Sequence, residues 1–154
     1  MTEKRLEVSR DKIEEMYKWD LGQLFDTVTA WEQRKKEIAS ELEKIASFKG
    51  TLTRSGEDLF TALTFLSNLT KEFLRLYAYA SMWSDQDTRE SKPMQLRQEM
   101  TPLQTQLSAL SAFVEPEILT LTDAQLAQFY HTEPRLETYH QYISDILRRR
   151  EHTL

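Results

Sequence analysis

The sequence predicts an all-α fold: an antiparallel helical bundle with two long N-terminal helices, a third helix kinked at a proline, and shorter helices toward the C-terminus. Three observations predict it. Leu, Glu, Gln, Lys, Arg and Ala, which lose little freedom on becoming helical, dominate the 154 residues, and only three glycines and four prolines are present to make turns. Apolar residues make up 40% of the chain, enough for a real core, and they recur at the three- and four-residue steps of a helix face. Each apolar stretch after the first eighteen residues opens on a capping side chain or a proline.

Residues 1–18 are charged and weakly periodic and form an arm, with Leu6 and Val8 as a short extended contact across the body; residues 19–154 form one helical domain. The first helix starts in "KWDLGQLF", where Asp20 can accept from freed backbone N–H groups and Gln23 completes a capping-box-like pair. Leu24, Val28, Trp31, Lys35, Ile38, Leu42 and Ile45 then alternate steps of four and three, the spacing of a coiled-coil seam that only Lys35 interrupts. Gly50 is placed to end that helix in the left-handed conformation, which gives it a length of roughly 40 Å.

In "SGEDLF" Ser55 is the N-cap of the second helix, and Glu57 and Asp58 meet the positive end of its dipole. Its apolar residues, from Leu59 to Trp83, cover well over half the circumference, so it is the central element, buried on more than one side. "SDQDTRESKP" is a polar connection, and Pro93 fits the first turn of the third helix, where its missing N–H costs nothing. Pro102 lies inside that helix and predicts a kink or local break. A short helix opens at Pro116, another is capped by Thr122 with Gln125, and a last one runs from Pro134 to the end.

Composition excludes several functions. A net charge of −5 and a pI near 5.3 argue against nucleic acid as a partner, since backbone phosphates are held by clustered Lys and Arg. The absence of cysteine excludes disulfides, thiolate metal sites and thiol nucleophiles. No apolar run approaches the roughly 20 residues that span a bilayer, and the N-terminus alternates charge, so the chain reads as soluble, cytoplasmic and without membrane contact.

The richest stretch is "RLYAYASMWSDQD". Tyr77, Tyr79, Asp85 and Asp87 read either as ligands of a peptide or metal, or as core aromatics followed by a solvated helix end; aromatic stripes at helical spacing are usually packing. Glu137 and His140 form Glu-x-x-His, half of a di-iron bundle motif whose second copy the chain lacks, and a solvent-exposed pair is the simpler reading. There is no His-Glu-x-x-His and no Gly-rich phosphate loop. Glu115 and Glu117 flank Pro116, and as acidic residues of a first helical turn they need no acid–base role. The residues alone predict no catalytic site and no metal or other cofactor in this chain.

Five fragments in succession carry a resemblance: "KWDLGQLF" with Trp31 after it, "FKGTLTRSGEDL", "LRLYAYASMWSDQDT", "LSAFVEPEIL" and "LETYHQYISDILRRREHTL". Together they resemble the N-terminal helical region of the oligoendopeptidase F family, zinc metallopeptidases of the thimet-oligopeptidase-like clan, from Lys18 to Leu154. Ser9 in "LEVSR" departs from the proline such proteins often show there. The resemblance implies a parent enzyme that hydrolyses short oligopeptides with zinc held by His-Glu-x-x-His and a further glutamate; none of these maps onto this chain. It implies that residues 19–154 are the N-terminal part of such an enzyme without its catalytic domain, enclosing a channel that admits short peptides. Tyr77, Tyr79, Asp85 and Asp87 become candidates for lining that channel. "RRREHTL" becomes a junction toward the catalytic domain, with His152 a contact or cap there. The alternative is an autonomous helical protein-interaction module; the seam of the first helix and the girth of the second also predict self-association of the chain alone.

Overall fold

The structure, a computed structural model, describes residues 12–152. Leu6, Val8 and Ser9 lie outside the described residues, as do the side chain of His152 and the terminal Leu154; of the expected arm only residues 12–18 are described, and they include a 3-10 turn at Glu15–Tyr17. Six α-helices follow: α1 Val28–Leu42, α2 Gly56–Gln86, α3 Ser91–Ser111, α4 Val114–Leu119, α5 Asp123–Thr132 and α6 His140–Arg148. 3-10 segments join α1 to α2 and α5 to α6, and among the described residues there is no strand.

α1 is shorter than the sequence predicts, 15 residues or about 22 Å. Its cap is Thr27, whose hydroxyl accepts from the Ala30 N–H at 3.1 Å. Asp20 caps only the 3-10 turn Leu21–Gln23: its carboxylate accepts from Gly22 N–H at 3.1 Å and from the Gln23 side chain at 3.2 Å. Gln23 here donates through its amide nitrogen to the Asp20 carboxylate, the reverse of the bond that a capping box would place on the Asp20 backbone. At the other end α1 tightens into a 3-10 turn over Glu43–Phe48, and Gly50 takes φ 81°. Trp31, Ile38, Leu42 and Ile45 of the seam are fully buried, and Leu24 and Val28 partly so. Lys35 sits with its ammonium 5.1 Å from the Trp31 ring centre and pairs with Glu99 of α3.

α2 has 31 residues, spans about 46 Å and is the central element. Ser55 caps it as expected, accepting from Asp58 N–H at 3.0 Å. It packs against α1, α3 and α5, and Leu59, Leu63, Leu66, Phe73, Leu76 and Tyr79 bury different sides of it. Trp31 of α1 donates through Nε1 to the Leu76 carbonyl at 2.9 Å, a buried polar contact on an apolar interface.

α3 runs through Pro102 without the predicted break. Pro102 is exposed, so the carbonyl left unpaired by its missing N–H faces water, while Leu96, Met100 and Leu103 bury both sides of the proline against the core. α4 begins at Val114, two residues before the expected start at Pro116. Thr122 and Gln125 form a complete capping box at α5. The last predicted helix is divided: Pro134–Tyr139 is 3-10, α6 follows, and Arg149–His152 returns to 3-10. Glu133, which is buried, stiffens that junction by accepting from the Arg135 backbone at 3.2 Å and from its guanidinium at 2.8 and 2.6 Å.

A candidate binding groove and the predicted site residues

Residues two apart on a helix point about 200° away from each other, so Tyr77 and Tyr79 cannot share a face of α2. Tyr79 is 6% exposed and meets Phe25 and Trp83 edge-on, at 5.5 and 5.8 Å between ring centres. That burial pushes its hydroxyl above the ordinary tyrosine value. Tyr77 is half-buried beside the core. Asp85 is exposed, with Arg97 of α3 at 3.9 Å. Asp87 follows α2 and accepts from the Arg89 backbone at 3.0 Å and from its guanidinium at 2.9 Å. The structure therefore does not gather the four into one cluster. Tyr79 belongs to packing, and Asp87 to the turn that leads into α3.

Glu137 and His140 approach to 3.6 Å, and His140 stacks against Tyr130 at 5.6 Å. Among the described residues no three His, Cys, Asp or Glu side chains converge as a metal site would require. Glu115 and Glu117 have separate partners: Glu115 accepts from Arg149 at 3.1 Å, and Glu117 accepts from the backbone N–H groups of Gly50 and Leu52. Neither has a free carboxylate facing the other across a reaction space.

A concavity lies elsewhere, an open groove of about 810 Å³ where α2, α3, α4 and α6 meet. Leu63 and Leu66 of α2, with Val114 and Pro116 of α4, give it an apolar floor. Ser67, Ser108 and Ser111 supply hydroxyls along the walls, and Tyr139 and Tyr142 close one side. The Tyr139 hydroxyl donates to Thr64 at 3.1 Å, which fixes that ring. Burial raises the Tyr142 hydroxyl, the Glu115 charge adds to the rise and Arg149 opposes it, so the phenol stays neutral. The only carboxylate on the lining among the described residues, Glu115, is already matched by Arg149.

Apart from Glu115 and Pro116, read in the sequence as a helix start, none of these groove residues stood out in the sequence. Their one signal is size: Ser67 faces Ser108, Ser111 and Ala112 across the groove, and small side chains on two helices that meet leave open space between them.

The family model described as Oligopeptidase F matches residues 117–154. The chain is 31% identical over 146 residues to the group B oligopeptidase PepB of Streptococcus agalactiae, covering 95% of this chain and 24% of that protein. It is 32% identical over 136 residues to oligopeptidase PepF of Bacillus subtilis, covering 88% of this chain and 20% of that protein. The crystal structure of oligoendopeptidase-F from Enterococcus faecium matches with a TM-score of 0.74 and 30% identity, over 83% of this chain and 25% of that one. The chain thus spans about a quarter of the length of the relatives it matches.

Proposed function

The chain belongs to the oligoendopeptidase F family, as its N-terminal region, and from that premise we propose that it is a helical enclosing part of an oligopeptide-cleaving metallopeptidase that carries none of the reacting groups itself. One observation carries the reading: identity of 31–32% runs along nearly all of this chain while the chain accounts for only a quarter of the relatives' length. The other three quarters are where the reaction belongs in this proposal.

Zinc is part of the proposal only for that remainder. The residues present here do not fit it, since among the described residues Glu137 and His140 have no third donor and the sequence holds no His-Glu-x-x-His. No step of hydrolysis is therefore assigned to this chain. Its own contribution is a stiff wall: three helices, α1 tied to α2 by Trp31 and to α3 by Lys35 and Glu99, which restrict access to short, unfolded peptides and keep bulk water from the bound substrate.

Among the channel candidates, exposed Asp85 and half-buried Tyr77 have side-chain surface to offer a peptide, and Tyr79 and Asp87 keep the end of α2 in shape behind them. The catalytic domain of the relatives is the proposed partner and short peptides the proposed substrates. A cytoplasmic location belongs to the same reading and suits a chain without cysteine. No helix of the described residues is long and apolar enough to cross a membrane.

The test is a fluorogenic oligopeptide assay with added zinc, run on this chain beside full-length Bacillus subtilis PepF. The relative is expected to turn the peptide over and this chain to give none; chelator-sensitive hydrolysis by the chain would sink the proposal. For Asp85, an asparagine at the aligned position of the relative is expected to raise KM and leave kcat; if neither changes, Asp85 leaves the channel.

A further inference from the structure

We propose that the groove between α2, α3, α4 and α6 seats an uncharged, apolar segment of the remaining three quarters of the oligoendopeptidase F fold, and is not a site for a free peptide. The inference rests on the family reading above. Its first support is chemical. Leu63, Leu66 and Val114 offer the occupant an apolar floor, and Ser67 and Ser108 offer hydroxyls that satisfy exposed backbone amides. Glu115, the only carboxylate on the lining among the described residues, already holds Arg149 at 3.1 Å. A free oligopeptide brings an ammonium and a carboxylate, and burying either without a partner is costly. A segment internal to a longer polypeptide brings neither.

The second support is size and place. About 810 Å³ lies in the range of cavities of roughly 300–1,000 Å³ that enclose a drug-sized group, enough for several side chains of a docked segment. α6 forms one wall and lies within the stretch matched by the family model, 117–154. The relatives have about three quarters of their length outside the region this chain matches, and Arg149, just past α6, reaches Glu115 on the groove lining at 3.1 Å.

The chain has no cysteine, so a single introduced thiol reports one position. Ser67→Cys and Ala112→Cys place it on exposed residues that face the groove; Lys36→Cys and Asn68→Cys place it on exposed residues that do not line it. Each is labelled with a maleimide in this chain and at the aligned position of full-length Bacillus subtilis PepF, with modified peptides read by mass spectrometry and folding checked by circular dichroism. The expected result is labelling at 67 and 112 at least about tenfold slower in the full-length relative than in this chain, because the site opens only by local unfolding once covered. Equal rates at 67 and 112 overturn the groove assignment. The family membership rests on sequence identity and survives that outcome; the enclosing role proposed above falls instead on chelator-sensitive hydrolysis by this chain. Protection in this chain alone that grows with its concentration assigns the groove to a second copy and also overturns the inference.

Discussion

Gly56 opens α2 against the far end of α5, and the contact tolerates no side chain. A Cβ there would lie 2.7 Å from the Phe129 carbonyl oxygen and 3.0 Å from the Glu133 Cβ. Helix propensity alone favours alanine over glycine by about 1 kcal/mol, but backbone cannot yield as a flexible side chain can, and overpacking costs about 1–3 kcal/mol. Gly56→Ala is therefore expected to lower the unfolding free energy by about 1 kcal/mol, read as a lower urea midpoint at unchanged slope; an unchanged or higher midpoint would mean that α5 moves away without penalty. Gly50 is the opposite case: it has open space around it and needs its positive φ. The role of Gly50 was legible in the sequence because a helix end is a local event. That of Gly56 was not, because its neighbours at 129 and 133 are more than seventy positions away. For the same reason Trp31 was readable as core, but its bond to the Leu76 carbonyl was not.

Among the elements, α2 was predicted almost residue for residue, because its cap, its first-turn acids and its apolar girth all say the same thing. α1 was misplaced at its start. Asp20 and Thr27 are both competent caps, and the choice between them is made by the packing of Phe25, which holds residues 21–25 as a turn on the core. α3 was predicted to kink or break at Pro102, and it is not broken there, since the packing of Leu96, Met100 and Leu103 outweighs one missing hydrogen bond. Proline in a helix interior costs as much as about 3 kcal/mol, and part of that is already relieved by solvent at this exposed position. Pro102→Ala is thus expected to stabilise the protein by about 1 kcal/mol, seen as a melting temperature higher by a few degrees; a lower one would mean that the ring makes a contact the exposed position does not suggest.

Across the whole molecule, α1, α2 and α3 are laced by charge. Arg34 reaches Glu37, Glu41 and Glu72, Lys35 reaches Glu99, and Lys92 reaches Glu32. The Lys35 hydrogen bond holds the Glu99 carboxyl below its ordinary value, and Arg34 does the same for Glu37. A carboxyl with a depressed folded pKa stabilises the fold fully above its unfolded value and ceases to do so as pH falls through the folded one. Stability is therefore expected to be level from neutral down to about pH 5 and to fall below it, and Lys35→Met to flatten that fall; urea midpoints across pH would read it, and an acid limb as steep in the variant would remove Glu99 from the account. At the other extreme burial raises Tyr79, Tyr130 and Tyr142, so stability is held up to the ordinary tyrosine value and drops as pH climbs from there through the raised ones. The groove belongs to this scale too. It gathers positions from 63 to 142, and no local pattern announces a space that exists only after four helices have met.

Glu117 has a bearing on the order in which such a chain comes together. Its two oxygens hold the N–H groups of Gly50 and Leu52, 67 and 65 positions away in sequence. That contact cannot form until both long helices between them exist and have doubled back, and closing so large a loop carries its entropy cost before any contact repays it. The joint between α1 and α2 is thus latched by a side chain that leaves the ribosome long after the joint itself, and until α4 is made the two helices are hinged at Gly50 without their fastening.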